Sequence, residues 1–209
     1  MVAQKGAVAF DLESYLQTQE LVNVSKMDTT IRIDLKYAST DNFTKTILYN
    51  NLLNIYLHPL AAKKLIKAQK RLKAINAKLS LLVYDAVRPL SVQKKMYEIV
   101  QDTKYAAYVA NPVHTGLHNY GMAVDITICD ENGKSLDMGT PFDYFGSAAG
   151  INKETELIQK GILSSQQVKN RQLLREVMIY AGFTTIRGEW WHFNAISLIE
   201  AKQSYRVIK

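Results

Sequence analysis

The chain has 209 residues, of which 47% are hydrophobic and 22% charged, and its formal net charge is +7; such values are typical of one globular domain with a sizeable core. The single cysteine, Cys129, excludes an internal disulfide and a thiolate-rich metal site, and the lack of a long apolar run excludes a membrane span. The lysines gather along one predicted helix, which favours a solvated helix face over a nucleic-acid-binding stripe.

The start of the chain is expected to lead into the domain. Residues 1–28 are weakly periodic and predict an N-terminal extension with a short helix over 10–15. Residues 30–35 alternate polar and apolar side chains, as a half-buried strand does. The domain itself is therefore predicted to span residues 29–209.

Two helices and a buried strand are predicted in the middle of the chain. Pro59 suits the first turn of a helix, where its missing N–H is no loss, and an apolar stripe at helical spacing continues to about Asn76. A run of aliphatic residues predicts a buried strand over 79–87. Ser91 is the expected N-cap of a second helix, which runs through Val100.

The second half of the chain contains most of the predicted strands. Residues 123–129 alternate as a strand, and residues 130–133 follow as a hairpin-type turn. Ser164 or Ser165 is the expected cap of a long helix, and a last short strand is predicted over 184–186. This order favours a single α+β domain whose central, mainly antiparallel sheet is flanked by helices.

Four polar residues in two short segments predict a metal site. Asp125 follows His118 in the first segment, and Glu189 precedes His192 in the second. Two histidines and one aspartate suffice to hold a catalytic zinc that keeps a fourth position for water. Glu189 would then be free to act as the base on that water. Three ligands and a free acid favour a hydrolase over a structural site, which four ligands would close.

Both segments also allow a simpler interpretation. A carboxylate in the apolar strand at Asp125 is costly to bury without a partner, so it either faces a cation or points to solvent from a one-sided sheet. Glu189 and His192 face opposite ways on a regular strand. They reach one metal only if the segment turns or bulges, which Gly188 makes feasible; the alternative is a core tryptophan pair flanked by a surface acid and a surface imidazole.

Arg88 is a further candidate because it stands where the chain leaves a buried strand. In a cleft, its guanidinium would stabilise the oxyanion of a tetrahedral intermediate. The alternative is a structural ion pair with Asp85 or another acid, and Arg88 taken alone favours that alternative.

The two metal segments resemble the family of zinc D-Ala-D-Ala peptidases, whose pattern is His-x6-Asp followed by Glu-x-x-His. The tryptophan pair between Glu189 and His192 resembles the D-Ala-D-Ala dipeptidase branch that is associated with vancomycin resistance. Segments at 34–43, 84–89 and 137–143 agree with the same branch. The resemblance therefore spans roughly residues 30 to 195 and implies the hedgehog-like α+β fold of this family.

The resemblance implies a role for each candidate residue. One zinc per chain would be held by His118, Asp125 and His192, with Glu189 as general base and acid and Arg88 at the oxyanion. Asp143 would receive the free amino terminus of a dipeptide. Gly116 stands where the family often has a serine, so a hydroxyl contact to the substrate is lost or supplied by the backbone or another residue. Gly116 and Tyr37 complete the expected substrate-binding residues.

The expected activity is hydrolysis of the small dipeptide D-Ala-D-Ala, with no nucleic-acid partner. The nearest alternative is a zinc carboxypeptidase or endopeptidase that acts on longer peptidoglycan peptides. A non-catalytic, zinc-stabilised binding domain is an alternative from another class, against which Glu189 and Arg88 argue; a basic nucleic-acid binder is more distant. Because no secretory signal is visible, we expect a cytoplasmic protein, or a periplasmic one if a leader has been removed. The sequence does not indicate an oligomeric state.

Overall fold

A five-stranded β-sheet lies at the centre of the computed structural model, which describes residues 11–103, 105, 106, 109 and 111–209. In these residues the strands are β1 (Val22–Asn23), β2 (Arg32–Ile33), β3 (Tyr56–Leu57), β4 (Ser80–Asp85), β5 (Ala123–Cys129), β6 (Thr184–Thr185) and β7 (His192–Asn194). The sheet has the order β2-β4-β5-β7-β6, and β1 pairs with β3 in a separate ribbon. In the central sheet β2 and β4 are parallel and the other neighbours are antiparallel. The predicted α+β domain with a mainly antiparallel sheet is confirmed.

The helices of the described residues surround this sheet. They are α1 (Leu12–Gln17), α2 (Val24–Met27), α3 (Pro59–Ile75), α4 (Leu90–Val100), α5 (Glu154–Gln159), α6 (Ser165–Tyr180) and α7 (Leu198–Ser204). The two longest, α3 and α6, pack on each other; α3 also contacts β4, and α6 contacts β5. The buried stripe of α3 therefore joins the core beneath the sheet, as its helical periodicity predicts.

Several predicted boundaries differ from the observed ones. Ser91 is not the N-cap of α4: the helix begins at Leu90, and Pro89 is its N-cap. Proline fixes its own backbone and restricts the preceding residue, so the chain can enter a helix here without a serine cap. The strand predicted over 30–35 is only two residues long, Arg32–Ile33. The predicted cap of α6 is confirmed, because the Ser164 side chain accepts a hydrogen bond from the Gln167 N–H.

Strand β5 is buried on both faces along its whole length. Asp125 is only 4% exposed, so the interpretation of a one-sided sheet with Asp125 in solvent is wrong. The register between β4 and β5 shifts by one residue, because Val83 lies opposite Ile126 but Asp85 lies opposite Asp125. Residues that pair across antiparallel strands point to the same face, and this irregularity therefore brings two carboxylates together.

The N-terminal part of the described chain packs on the domain. Leu12, Leu16 and Val24 belong to the same buried cluster as the sheet residues. The helix predicted over 10–15 is observed as Leu12–Gln17, and residue 10 lies outside the described residues. The boundary between residues 28 and 29 stays a prediction. Within the described residues, every helix is too short or too polar to cross a membrane.

Candidate metal centre and active site

The three predicted metal ligands come together at one end of β5. Asp125 and His192 are paired residues of β5 and β7, so their side chains share a face of the sheet. His118 lies on the 3₁₀ turn Leu117–Tyr120, just before β5. Gly121 ends this turn with φ +64°, a conformation that glycine adopts without strain. The turn therefore directs the His118 side chain towards the two strand residues.

The donor atoms of these residues converge. Asp125 Oδ1 lies 2.9 Å from His192 Nδ1 and 3.4 Å from His118 Nε2. The two imidazole nitrogens are 3.3 Å apart. Ligand atoms around a tetrahedral zinc, with bonds of roughly 2.0–2.1 Å, would be about 3.3 Å from one another. The spacing and the N, N, O donor set therefore fit a single metal ion of this kind.

The other nitrogen of each imidazole has a partner that fixes the ring. His118 Nδ1 lies 2.6 Å from the Ala86 carbonyl oxygen, and His192 Nε2 lies 2.7 Å from Asn194 Oδ1. With N–H groups at these positions, both rings turn a lone pair towards the shared centre. Sequence reasoning missed Asn194, although the two-residue period of a strand places it on the same face as His192.

The charges of the donor set depend on one another. Burial raises the pKa of Asp125, but the His118 and His192 imidazoles outweigh it and hold this pKa far below its usual range. Burial lowers the pKa of His192, and the Asp125 carboxylate outweighs it and raises this pKa. Asp125 is therefore an anion that stabilises positive charge at this place, from a proton or from a metal ion.

Arg88 forms the predicted structural pair and also lines the site. Its Nε and one terminal nitrogen donate to Asp85 Oδ2 at 2.9 and 2.5 Å, and the other donates to Gln93 Oε1 at 3.0 Å. The guanidinium lies 3.6 Å from Asp125 Oδ2. Its cation therefore faces both buried carboxylates, and its position is fixed before any ligand arrives. No sequence pattern points to Gln93, because its contact with Arg88 depends on how α4 packs.

The Glu189 segment departs from regular strand geometry, as the shared-metal interpretation requires. Residues 186–191 connect β6 to β7 and are not part of a β-strand. Trp190 and Trp191 are buried, and the Trp190 indole N–H donates to Thr140 Oγ1 at 2.8 Å. Half-buried Glu189 lines the same pocket as His192. Burial raises the pKa of its carboxyl group, and the neighbouring imidazoles and Arg88 lower it in part.

Asp143 and Tyr37 lie together in the wall of the cavity. The Tyr37 hydroxyl donates to Asp143 Oδ2 at 3.0 Å, and the Arg88 guanidinium lies 5.2 Å from the centre of the Tyr37 ring. Asp143 has φ +57°, which is uncommon for a residue with a side chain. Burial, together with the Asp125 charge, raises the pKa of Asp143 well above its usual value.

A cavity of about 300 Å³ joins all the candidate residues. Its lining includes Tyr37, Arg88, Gly116, His118, Asp125, Asp143, Glu189 and His192. Apart from Gly116 itself and its two chain neighbours, no atom of the described residues lies within 4 Å of where a Cβ on Gly116 would stand, so the missing side chain leaves open space in this wall. A larger cavity of about 580 Å³ lies elsewhere, between α1 and the C-terminal residues.

The arrangement is that expected of a metal-dependent hydrolase: three converging candidate ligands with a half-buried acid and an arginine beside them. A family model described as D-Ala-D-Ala dipeptidase matches residues 17–208. The chain therefore belongs to the D-Ala-D-Ala dipeptidase family of metallopeptidases.

Three relatives named D-alanyl-D-alanine dipeptidase support this assignment. The chain is 32% identical to one from Escherichia coli (strain K12) over 177 residues, which cover 85% of each chain. It is 28% identical to one from Enterococcus faecalis over 186 residues, covering 79% of this chain and 86% of the relative. A relative from Synechocystis is 29% identical over 166 residues, covering 63% of this chain and 66% of the relative.

Proposed function

We propose that the protein hydrolyses D-Ala-D-Ala to two D-alanine molecules, with one zinc ion held by His118, Asp125 and His192. The observation that carries the proposal is the convergence of these three donors beside Glu189 and Arg88 in one cavity. Two imidazoles and one carboxylate are a common ligand set of catalytic zinc. The family and its named relatives support the choice of dipeptide.

The side chains of the site divide the work of peptide hydrolysis. When bound, the metal supplies a Lewis acid and lowers the pKa of a water to about 7. Glu189 takes the proton of the attacking water and passes it to the leaving amine. Its raised pKa makes the carboxylate a stronger base for the first of these transfers. Arg88 donates to the oxyanion as the carbonyl carbon becomes tetrahedral. Because Asp85 and Gln93 hold the guanidinium, little reorganisation accompanies this step.

Asp143 gives the site its preference for a free amino terminus. Its carboxyl group lines the cavity beside Arg88 and accepts a hydrogen bond from Tyr37. An ammonium group that enters the cavity favours the carboxylate form of Asp143 and pairs with it. An acylated amino terminus brings no charge to this position and fills the space with bulk. The pocket thereby selects a free dipeptide over the end of a longer peptide.

The proposal is tested by the release of D-alanine from D-Ala-D-Ala and from its N-acyl derivative, each with and without a chelator. Cleavage of the free dipeptide alone, lost with chelator and restored by zinc rather than by magnesium, is the expected result. Efficient cleavage of the acylated substrate would replace the proposal with a carboxypeptidase that acts on longer peptides. Zinc binding without cleavage of either substrate would favour a binding domain.

A further inference from the structure

Two segments of the site are joined by hydrogen bonds on both sides of Arg88. The Arg88 N–H donates to the His118 carbonyl oxygen at 3.0 Å. The Arg88 carbonyl oxygen accepts a hydrogen bond from Asn119 Nδ2 at 2.8 Å. The backbone of the residue proposed to stabilise the oxyanion is therefore attached directly to the turn that carries a metal ligand.

Asn119 connects this attachment to the cavity wall. Its side chain is completely buried, and its Oδ1 accepts a hydrogen bond from the Gly116 N–H at 2.7 Å. The side-chain amide of Asn119 thus donates to the Arg88 carbonyl oxygen and accepts from the Gly116 N–H. Such a group is costly to leave unpaired in the interior, so the two bonds favour one arrangement of the segments.

The C-terminal residues reinforce the same contact from outside. The Ile208 N–H donates to the Asn119 carbonyl oxygen at 2.8 Å, and the Ile208 carbonyl oxygen accepts from the Leu90 N–H at 2.8 Å. Ile208 therefore bridges the turn that carries His118 and the start of α4, two residues after Arg88. Asn119 and Ile208 hold the two segments together without entering the set of metal donor atoms.

We propose that Asn119 is a positioning residue for the hydrolysis, which fixes the distance between the Arg88 guanidinium and the metal ligand His118. The inference rests on the proposed function in one respect, the role of Arg88 at the oxyanion. Loss of the Asn119 amide removes one of the two hydrogen bonds that join the Arg88 backbone to this turn, while His118 keeps its bond to the Ala86 carbonyl oxygen. The metal ligands then stay in place, and the Arg88 guanidinium, although still bonded to Asp85 and Gln93, is positioned less precisely opposite the oxyanion.

The decisive experiment combines Asn119→Leu, which has a similar volume, with Arg88→Ala. In the zinc-loaded enzyme we expect Asn119→Leu to lower kcat for D-Ala-D-Ala about 10- to 100-fold, the usual effect of removing a supporting group. KM and zinc affinity, the latter from competition with a coloured chelator, are expected to change less than about threefold. In the Arg88→Ala background, Asn119→Leu is expected to cost less than about threefold, because residues that act through each other are not additive.

Gln69→Leu is the matched control. Gln69 is also a buried amide, at 1% exposure, and bonds the Thr30 carbonyl oxygen and the Leu81 N–H, which lies near the start of β4, at the opposite end of the strand from Asp85. We expect it to lower stability as Asn119→Leu does, with kcat unchanged. Equal losses of kcat from Asn119→Leu with and without Arg88 would overturn the proposal, since a purely structural role has that signature.

A second variant and a second readout separate this inference from the proposed function. Asn119→Asp keeps an acceptor for Gly116 but cannot donate to Arg88, and we expect it to repeat the Arg88-dependent loss of kcat. Amide exchange is independent of activity: Asn119→Leu should speed exchange at Gly116 and Arg88, and Gln69→Leu should not. Unchanged exchange at both amides would overturn the positioning role. A wild-type enzyme inactive on D-Ala-D-Ala would instead contradict the proposed function.

Discussion

At the scale of single residues, Glu189 is a half-buried acid that the proposed metal ligands leave free. We expect Glu189→Gln to lower kcat by about 10²- to 10⁴-fold, the usual contribution of a general base. The metal content, measured on the purified variant, should not change, because Glu189 is outside the converging donor set.

His192→Ala is the comparison for this variant, since it removes a donor atom and should lose both metal and activity. A Glu189→Gln enzyme that keeps more than a tenth of the wild-type kcat would rule out Glu189 as the base.

Asp143 links binding and stability, because burial raises its pKa in the folded protein. The folded chain therefore binds more protons than the unfolded chain above the unfolded pKa, and stability falls as the pH rises through the folded pKa. Asp143→Asn removes this pH-dependent loss of stability, and asparagine adopts the positive φ of this position readily. We expect the free energy of unfolding of this variant to equal that of the wild type at low pH and to exceed it near neutral pH. Urea unfolding of both proteins at the two pH values measures this difference.

The same substitution should weaken recognition of the dipeptide. Removing a bond to a charged group costs about 1.5–3 kcal/mol, so we expect kcat/KM for D-Ala-D-Ala to fall about 10- to 100-fold. Activity on an N-acyl dipeptide should change little. An equal loss on both substrates would contradict the assignment of Asp143 to the amino terminus.

At the scale of elements, the turn that carries His118 depends on Gly121. A Cβ at this position would lie 3.0 Å from the His58 backbone nitrogen and 3.0 Å from Leu21 Cδ2, at φ +64°. We expect Gly121→Ala to cost about 1–3 kcal/mol of unfolding free energy and to weaken zinc binding. Gly133→Ala is the control: it has φ +81° but open space around it, so it should lower stability without a change in zinc affinity.

The elements themselves show what local sequence could predict. Strand β5 has the predicted bounds, because the alternation of its side chains and the turn that follows it agree. Ser164, one of the two serines expected as the cap, is the N-cap of α6. Ser91 is not the cap, because α4 begins one residue earlier, at Leu90. Pro89 is the N-cap there, and no side chain makes a capping hydrogen bond. The bend at Glu189 was required by the metal hypothesis rather than by any local pattern, and residues 186–191 depart from a strand as it requires.

At the scale of the whole molecule, the proposed ligands join parts of the chain that are distant in sequence. His118 and His192 are 74 residues apart, and a bound ion would tie the 3₁₀ turn to β5 and β7. Binding to the folded state alone adds about 2.7 kcal/mol when free ligand is 100 times its Kd. We therefore expect a chelator to lower Tm by several degrees in the wild type but not in His192→Ala, as measured by thermal unfolding.

Long-range packing also explains what the sequence could not predict. The sequence predicts the candidate ligands, Glu189 and Arg88 because their residue types and spacings match the chemistry of a metal-dependent hydrolase. Asn119 and Gln93 were missed, since an amide is an ordinary surface residue until the fold buries it. Their importance depends on which backbone groups lie opposite them, and that is a property of the tertiary structure.

The register shift in β4 has a consequence for comparing relatives of this protein. With a regular ladder, Tyr84 would stand opposite Asp125 and Asp85 would turn to the other face of the sheet. Arg88 would then lose the Asp85 carboxylate as a partner although no functional residue had changed. The number of residues in this strand is therefore as informative as their identity. In a homologue whose alignment has a one-residue gap in this strand, we expect the Asp85–Arg88 pair to be lost and activity to be impaired, even when every metal ligand is conserved.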